Sequence, residues 1–177
     1  MDETVRIDRM SLAELDRDLT QLGEMLHAVV HDGASIGFVL PFSEAEAKDF
    51  WTEKVRPEVA RNRRHLFVAR LGGAIAGSVQ LAHGMPANQP HRVDVNKLMV
   101  HPDFRRRGIA KLLMTALEET ARTMARSLIT LDTRTGDKAE PLYTALGYRT
   151  VGIIPNFCRD TKEPGRLDPT TIMYKEI

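Results

Sequence analysis

VDVNKLMVHPDFRRRGIAKLLM, residues Val93–Met114, is the stretch whose reading decides the fold. It opens as a strand through Val100, is broken by Pro102, and passes through Arg105-Arg106-Arg107-Gly108-Ile109-Ala110 into a helix. A helix N-terminus carries unpaired N–H groups and partial positive charge. Gly108 lets the backbone approach a ligand closely, and Ala110 leaves the first turn uncluttered. With three arginines beside them, these features suit a diphosphate. Taken alone, a basic run and one glycine read as a solvated charge run before a helix. The strand before it, the helix after it and the segments downstream shift that reading. Neither Gly-x-x-x-x-Gly-Lys-Ser/Thr nor Gly-x-Gly-x-x-Gly occurs in the chain, so it is neither a Walker nor a Rossmann phosphate loop.

Outward from this stretch, the helix continues through Leu112, Leu113, Ala116, Leu117, Ala121 and Met124, an amphipathic spacing. Leu128–Leu131 reads as a strand, Lys138–Leu146 as a short helix with Gly147 as its C-terminal cap, and Tyr148–Ile154 and Thr171–Tyr174 as the last strands. Residues 160–169 read as a long polar loop. Upstream, Leu66–Ala69 and Ile75–Leu81 form a hairpin about Gly72-Gly73, and residues 83–92 are a loop. Val5-Arg6-Ile7 is a short strand. Ser11-x-x-Glu14 and Ser43-x-x-Glu46 have the spacing of capping boxes. The first starts a helix with Leu12, Leu15, Leu19, Leu22 and Leu26 on one face and its end near Gly33. The second starts a helix that Pro57 bends or ends.

The whole chain, 1–177, is expected to be one α/β domain. Its 25 basic and 24 acidic residues sum to a net charge of +1, which argues against coating nucleic acid or an anionic membrane by bulk charge. No signal peptide is visible and no run of apolar residues is long enough to span a bilayer, so a cytoplasmic protein is expected. The single cysteine, Cys158, excludes an internal disulfide and has no basic partner nearby in sequence to make it a nucleophile. His27 and His31 have i, i+4 spacing, but no third ligand accompanies them and no metal is expected. Arg61, Arg63 and Arg64 suit the C-terminal end of the second helix.

Arg105-x-x-Gly108-x-Ala110 resembles the Gln/Arg-x-x-Gly-x-Gly/Ala signature of the GNAT family of N-acetyltransferases, whose backbone amides hold the pyrophosphate of acetyl-CoA. Glu140-Pro141-Leu142-Tyr143-Thr144-Ala145-Leu146-Gly147-Tyr148 resembles that family's second motif, a helix bearing a tyrosine followed by Gly-Tyr/Phe. Within the family, Gly33–Phe38, Lys97–Val100, Leu131-Asp132-Thr133 and Gly165–Thr170 are similar to segments of the tabtoxin-resistance acetyltransferases. The resemblance implies a mixed, mostly antiparallel sheet with helices on both faces and a splayed central strand pair. It implies acetyl-CoA as co-substrate, with no metal. The binding residues would be the backbone of Leu98, Met99 and Val100 for the pantetheine arm, and the loop Arg105, Arg106, Arg107, Gly108, Ile109, Ala110 and Lys111 for the pyrophosphate.

Tyr143 stands where the family carries its general acid; its alternative reading is a core tyrosine. Asp94 and Asp132 fall on the two strands flanking the slot. They are candidates to bind an ammonium or relay its proton, or else are solvated strand-end acids. A carboxylate of ordinary pKa about 3.9 is a weak base toward an amine of about 8 to 10. The acceptor implied is a small amino-acid-like or toxin-like amine, in a pocket shaped by residues 33–42 and the 83–92 loop. The alternatives are a protein amine, which needs an open groove, and a CoA-binding module without turnover, which has no need of Tyr143 and two acids. A homodimer is left open.

Overall fold

The computed structural model describes residues 4–177. Seven strands form one sheet in the order β1-β2-β3-β4-β5-β7-β6, comprising β1 (Arg6–Arg9), β2 (Arg64–Leu71), β3 (Ala74–Ala82), β4 (Arg92–Val100), β5 (Leu128–Arg134), β6 (Arg149–Arg159) and β7 (Leu167–Glu176). Every pairing is antiparallel except β4 with β5. That parallel contact lasts only three residues, Arg92 opposite Leu128 to Asp94 opposite Thr130. Beyond Asp94 the two strands diverge, and the β5-facing backbone groups of β4 are left without a strand partner. The expected splay is therefore present.

Helices cover both faces, which is why the central strands are apolar on both sides and read as continuous runs. On β2, Phe67, Ala69 and Leu71 enter the core under α5 (Ile109–Thr123), while Leu66 and Val68 enter a second core on the opposite face. The second core is built from α1 (Leu12–Arg17), α2 (Leu19–His31), α3 (Glu44–Asp49) and α4 (Arg56–Ala60), with Trp51 fully buried at its centre. A short α6 (Ala139–Ala145) lies between β5 and β6.

Both capping boxes form: Ser11 with Glu14, and Ser43 with Glu46. The helix expected across Leu12–Leu26 is instead broken at Asp18. That carboxylate pairs with Arg17 and with Arg70 of β2, and these guanidinium groups hold its pKa down to about 2. The second helix does not stop at Pro57. A π-helical stretch, Phe50–Val55, joins α3 to α4 and places Pro57 in the first turn of α4, where its missing N–H costs nothing. The loop expected at 160–169 shrinks to 160–166 because β6 and β7 run further than their apolar residues suggested. Asp160 organises this turn by accepting from the N–H groups of Lys162 and Glu163.

Gly77 permits the packing of α5. A Cβ there would sit 2.6 Å from the Met99 carbonyl oxygen and 3.1 Å from Ile109 Cγ2, so the helix could not lie so close to β3. No helix among the described residues is long and apolar enough to cross a membrane.

Candidate active site

A cavity of about 970 Å³ opens where β4 leaves β5. Its floor on one side is the start of α5. His101 donates its N–H to Ala76, the chain turns through Pro102–Phe104, and Arg106 and Gly108 adopt left-handed backbone angles, φ +62° and +73°. For Gly108 this conformation is free of the penalty a side chain would bring. As a result the six N–H groups from Arg106 to Lys111 have no acceptor among the described residues. No atom lies within 4 Å of where a Gly108 Cβ would stand. Open space ringed by free amides at the positive end of a 15-residue helix is what a diphosphate requires. Arg105, Arg106 and Lys111 line this half, Arg105 in an ion pair with Asp32 at the end of α2, N–O 2.6 Å. Arg107 does not reach the cavity lining; it sits on the outside of the turn.

Leu98, Met99 and Val100 line the slot as expected. They follow a β-bulge: between the pairs Gln80–Asn96 and Ser78–Met99, β3 has one residue and β4 has two, Lys97 and Leu98. Lys97 takes φ +52°. The bulge turns Lys97 toward the cavity.

Of the two acids proposed from the sequence, the structure brings only Asp132 to the cavity. Thr170 of β7 supports it, with its hydroxyl 3.1 Å from Asp132 Oδ2. Asp94 is a correction. It lies where β4 and β5 are still paired, and its carboxylate is held by the Arg92 guanidinium and the Thr130 hydroxyl. The 83–92 loop is misplaced for the same reason. It leads into the paired end of β4 and contributes nothing to the lining, whereas residues 33–39 do.

Tyr143 projects from α6 into the cavity, 5% exposed, with its ring edge-on to Tyr148. No group among the described residues bonds its hydroxyl, and the hydroxyl is not sealed from the cavity. Burial, with Asp132 nearby, pushes its pKa far above the usual tyrosine value, so the phenol keeps its proton.

Residues 33–40 form a roof loop along one side of the cavity, tied down by hydrogen bonds. Ala34 accepts from the Thr161 hydroxyl at 2.9 Å, Leu40 donates its N–H to Thr161 at 2.8 Å, and Gly33 accepts from Arg134 at 3.3 Å. Arg134 is in turn fixed by Asp137, Asp160 and Asp168. The loop after α2 is thus tied to the β6–β7 turn. Cys158 faces this seam, half-buried, its Sγ 3.7 Å from Ser35 Oγ. His27 and His31 stack on each other, and His31 Nε2 contacts the Phe42 carbonyl; among the described residues no three potential ligands gather as a metal site.

Sequence reading missed Lys97, Thr170 and Arg134. A signal for Lys97 was present: Val93 and Val95 alternate toward one core, and the next apolar residue, Leu98, comes three residues later rather than two, as a bulge requires.

The model of the acetyltransferase (GNAT) family matches residues 34–148, both halves of the cavity included. The chain belongs to the GNAT acetyltransferase family. An uncharacterized N-acetyltransferase from the hisH-hisA intergenic region of Azospirillum brasilense is 34% identical over 70% of this chain and 73% of its own length. The N-alpha-acetyltransferase RimI of Mycobacterium tuberculosis is 29% identical, over 66% of this chain and 76% of its own. Among solved structures, a ribosomal-protein-alanine N-acetyltransferase from Brucella melitensis superposes with a TM-score of 0.77 at 20% identity, covering 97% of this chain and 99% of that one. yncA from Salmonella typhimurium, solved with its cofactor acetyl-CoA, gives 0.75 at 16%, covering 97% and 93%. The fold is the GNAT fold, and this GNAT protein is an acetyl-CoA-dependent N-acetyltransferase.

Proposed function

We propose that this acetyltransferase acts on the primary amine of a small amino-acid-like molecule. The roof carries that reading. An extended peptide needs a groove open at both ends, but here residues 33–40 are hydrogen-bonded to Thr161 and Arg134 across the acceptor half. A compact acceptor fits beneath such a roof. The likeness to the tabtoxin-resistance type in residues 33–38 and 165–170 falls on the two sides of that seam and supports the same reading. The likeness to the N-alpha-acetyltransferase RimI of Mycobacterium tuberculosis favours the alternative of a protein amine.

In the proposed reaction, the N–H groups of Arg106–Lys111 and the side chains of Arg106 and Lys111 hold the pyrophosphate of acetyl-CoA. The β5-facing backbone groups of Leu98–Val100 position the thioester and stabilise charge building on its carbonyl oxygen. Asp132 binds the acceptor ammonium, whose proton leaves to the carboxylate or to water. The free amine attacks the carbonyl carbon, a C–N bond forms, the C–S bond breaks, and Tyr143 gives a proton or hydrogen bond to the departing thiolate. No acyl-enzyme is required. A spectrophotometric thiol-release screen with acetyl-CoA tests the substrate class. Amino acids and related small amines should release thiol; release with peptide N-termini alone would overturn the proposal.

A further inference from the structure

Lys97 and Asp132 occupy the same half of the cavity, and neither has an ion-pair partner among the described residues. Elsewhere in the lining Arg134 binds three aspartates and Asp32 binds Arg105, while Lys138 and Arg159, like Lys97, have no ion-pair partner among the described residues. The bulge that makes Lys97 left-handed turns its side chain beneath the roof loop. There Nζ lies 5.7 Å from the centre of the Phe38 ring, and a Cβ on Gly37 would stand 3.1 Å from it. The ammonium is therefore seated by packing rather than by a countercharge.

We propose that Lys97 is the specificity-determining residue for a carboxylate on the acceptor, so that the substrate binds as a zwitterion with its ammonium at Asp132 and its anionic group at Lys97. The inference rests on the small-amine reading given above and narrows it. Two opposite charges that share a cavity without closing on each other present matched sites for a molecule carrying both signs. Burial without a partner depresses the basicity of Lys97, and nearby Asp132 only offsets this in part. An acceptor carboxylate would supply the missing countercharge. Tyr143 feels the same Asp132, which puts the ammonium end of the zwitterion beside the group proposed to meet the thiolate.

The test compares kcat/KM for an α-amino acid and for its methyl ester, which keeps the amine and loses the charge. Wild-type protein should prefer the free acid by about 10–100-fold, the range expected for one charge-assisted contact. Lys97→Met, which preserves the chain's length and packing, should bring that ratio close to one, and Lys97→Arg should restore part of it. A wild-type ratio near one, or a Lys97→Met variant that weakens acid and ester equally, would overturn the assignment of Lys97 while leaving the small-amine reading intact. Wild-type protein that acetylates neither form of any small amine would overturn both. Thermal melting of each variant separates lost binding from lost folding.

Discussion

In the proposed reaction, Tyr143 and Asp132 divide the chemistry between a proton kept and a charge offered. Burial keeps the Tyr143 phenol protonated through the whole range in which an amine is assayed, so its donor role should not titrate away at alkaline pH. Tyr143→Phe should lower kcat by about 10²–10⁴-fold, the usual contribution of a positioned proton donor, with acetyl-CoA affinity nearly unchanged. Unaltered turnover at saturating substrate would return Tyr143 to a packing role against Tyr148. For Asp132→Asn, kcat/KM for the amine should fall while acetyl-CoA binds as before. Recovery of the variant as pH rises and free amine accumulates marks a base; a raised KM with no recovery marks an ammonium anchor. Thr170, one bond away from Asp132, holds the carboxylate in place for either role.

At the scale of elements, the site is made by one short pairing and one bulge. Three residues of β4–β5 contact and then divergence create the slot, and the extra residue at Lys97-Leu98 points side chains into it. α5 must lie close to β3 to aim its first turn at that slot, which is the work of Gly77. Gly77→Ala would drive a methyl group onto the Met99 carbonyl. It should cost about 1–3 kcal/mol in stability, read as a lower melting temperature, and should weaken acetyl-CoA binding through the displaced helix; a variant that melts with the wild type would contradict this packing account. The strands β2 to β5, α5 and α6 were legible in the sequence because their apolar spacing reports a local period that burial enforces. Other features follow from contacts between distant segments. The break at Asp18 coincides with its pairing to Arg70, fifty-two residues away. The reach of β6 was hidden because nearly all its side chains are exposed, and Gly152, Pro155 and Asn156 interrupt its pattern. Asp94 was misassigned because sequence identifies strands but does not say where two of them part.

Across the whole molecule, one sheet with a core on each face sets two binding halves against each other. The face bearing α5 and α6 supplies Tyr143 and the loop proposed to hold the pyrophosphate; the face bearing α1–α4 supplies the roof, Phe38 and the ground beneath Lys97. The two halves meet at the gap between β4 and β5, and in the proposed reaction the co-substrate's arm threads that gap. Every later step of the proposed reaction depends on the free amides at the start of α5. Calorimetric titration of CoA into wild-type protein and Gly108→Val, with melting temperatures measured alongside, tests this most directly. The account predicts micromolar binding by the wild type and its loss in the folded variant, whose side chain would fill the space left open at φ +73°. No binding by the wild type, or equal binding by a folded Gly108→Val protein, would contradict it.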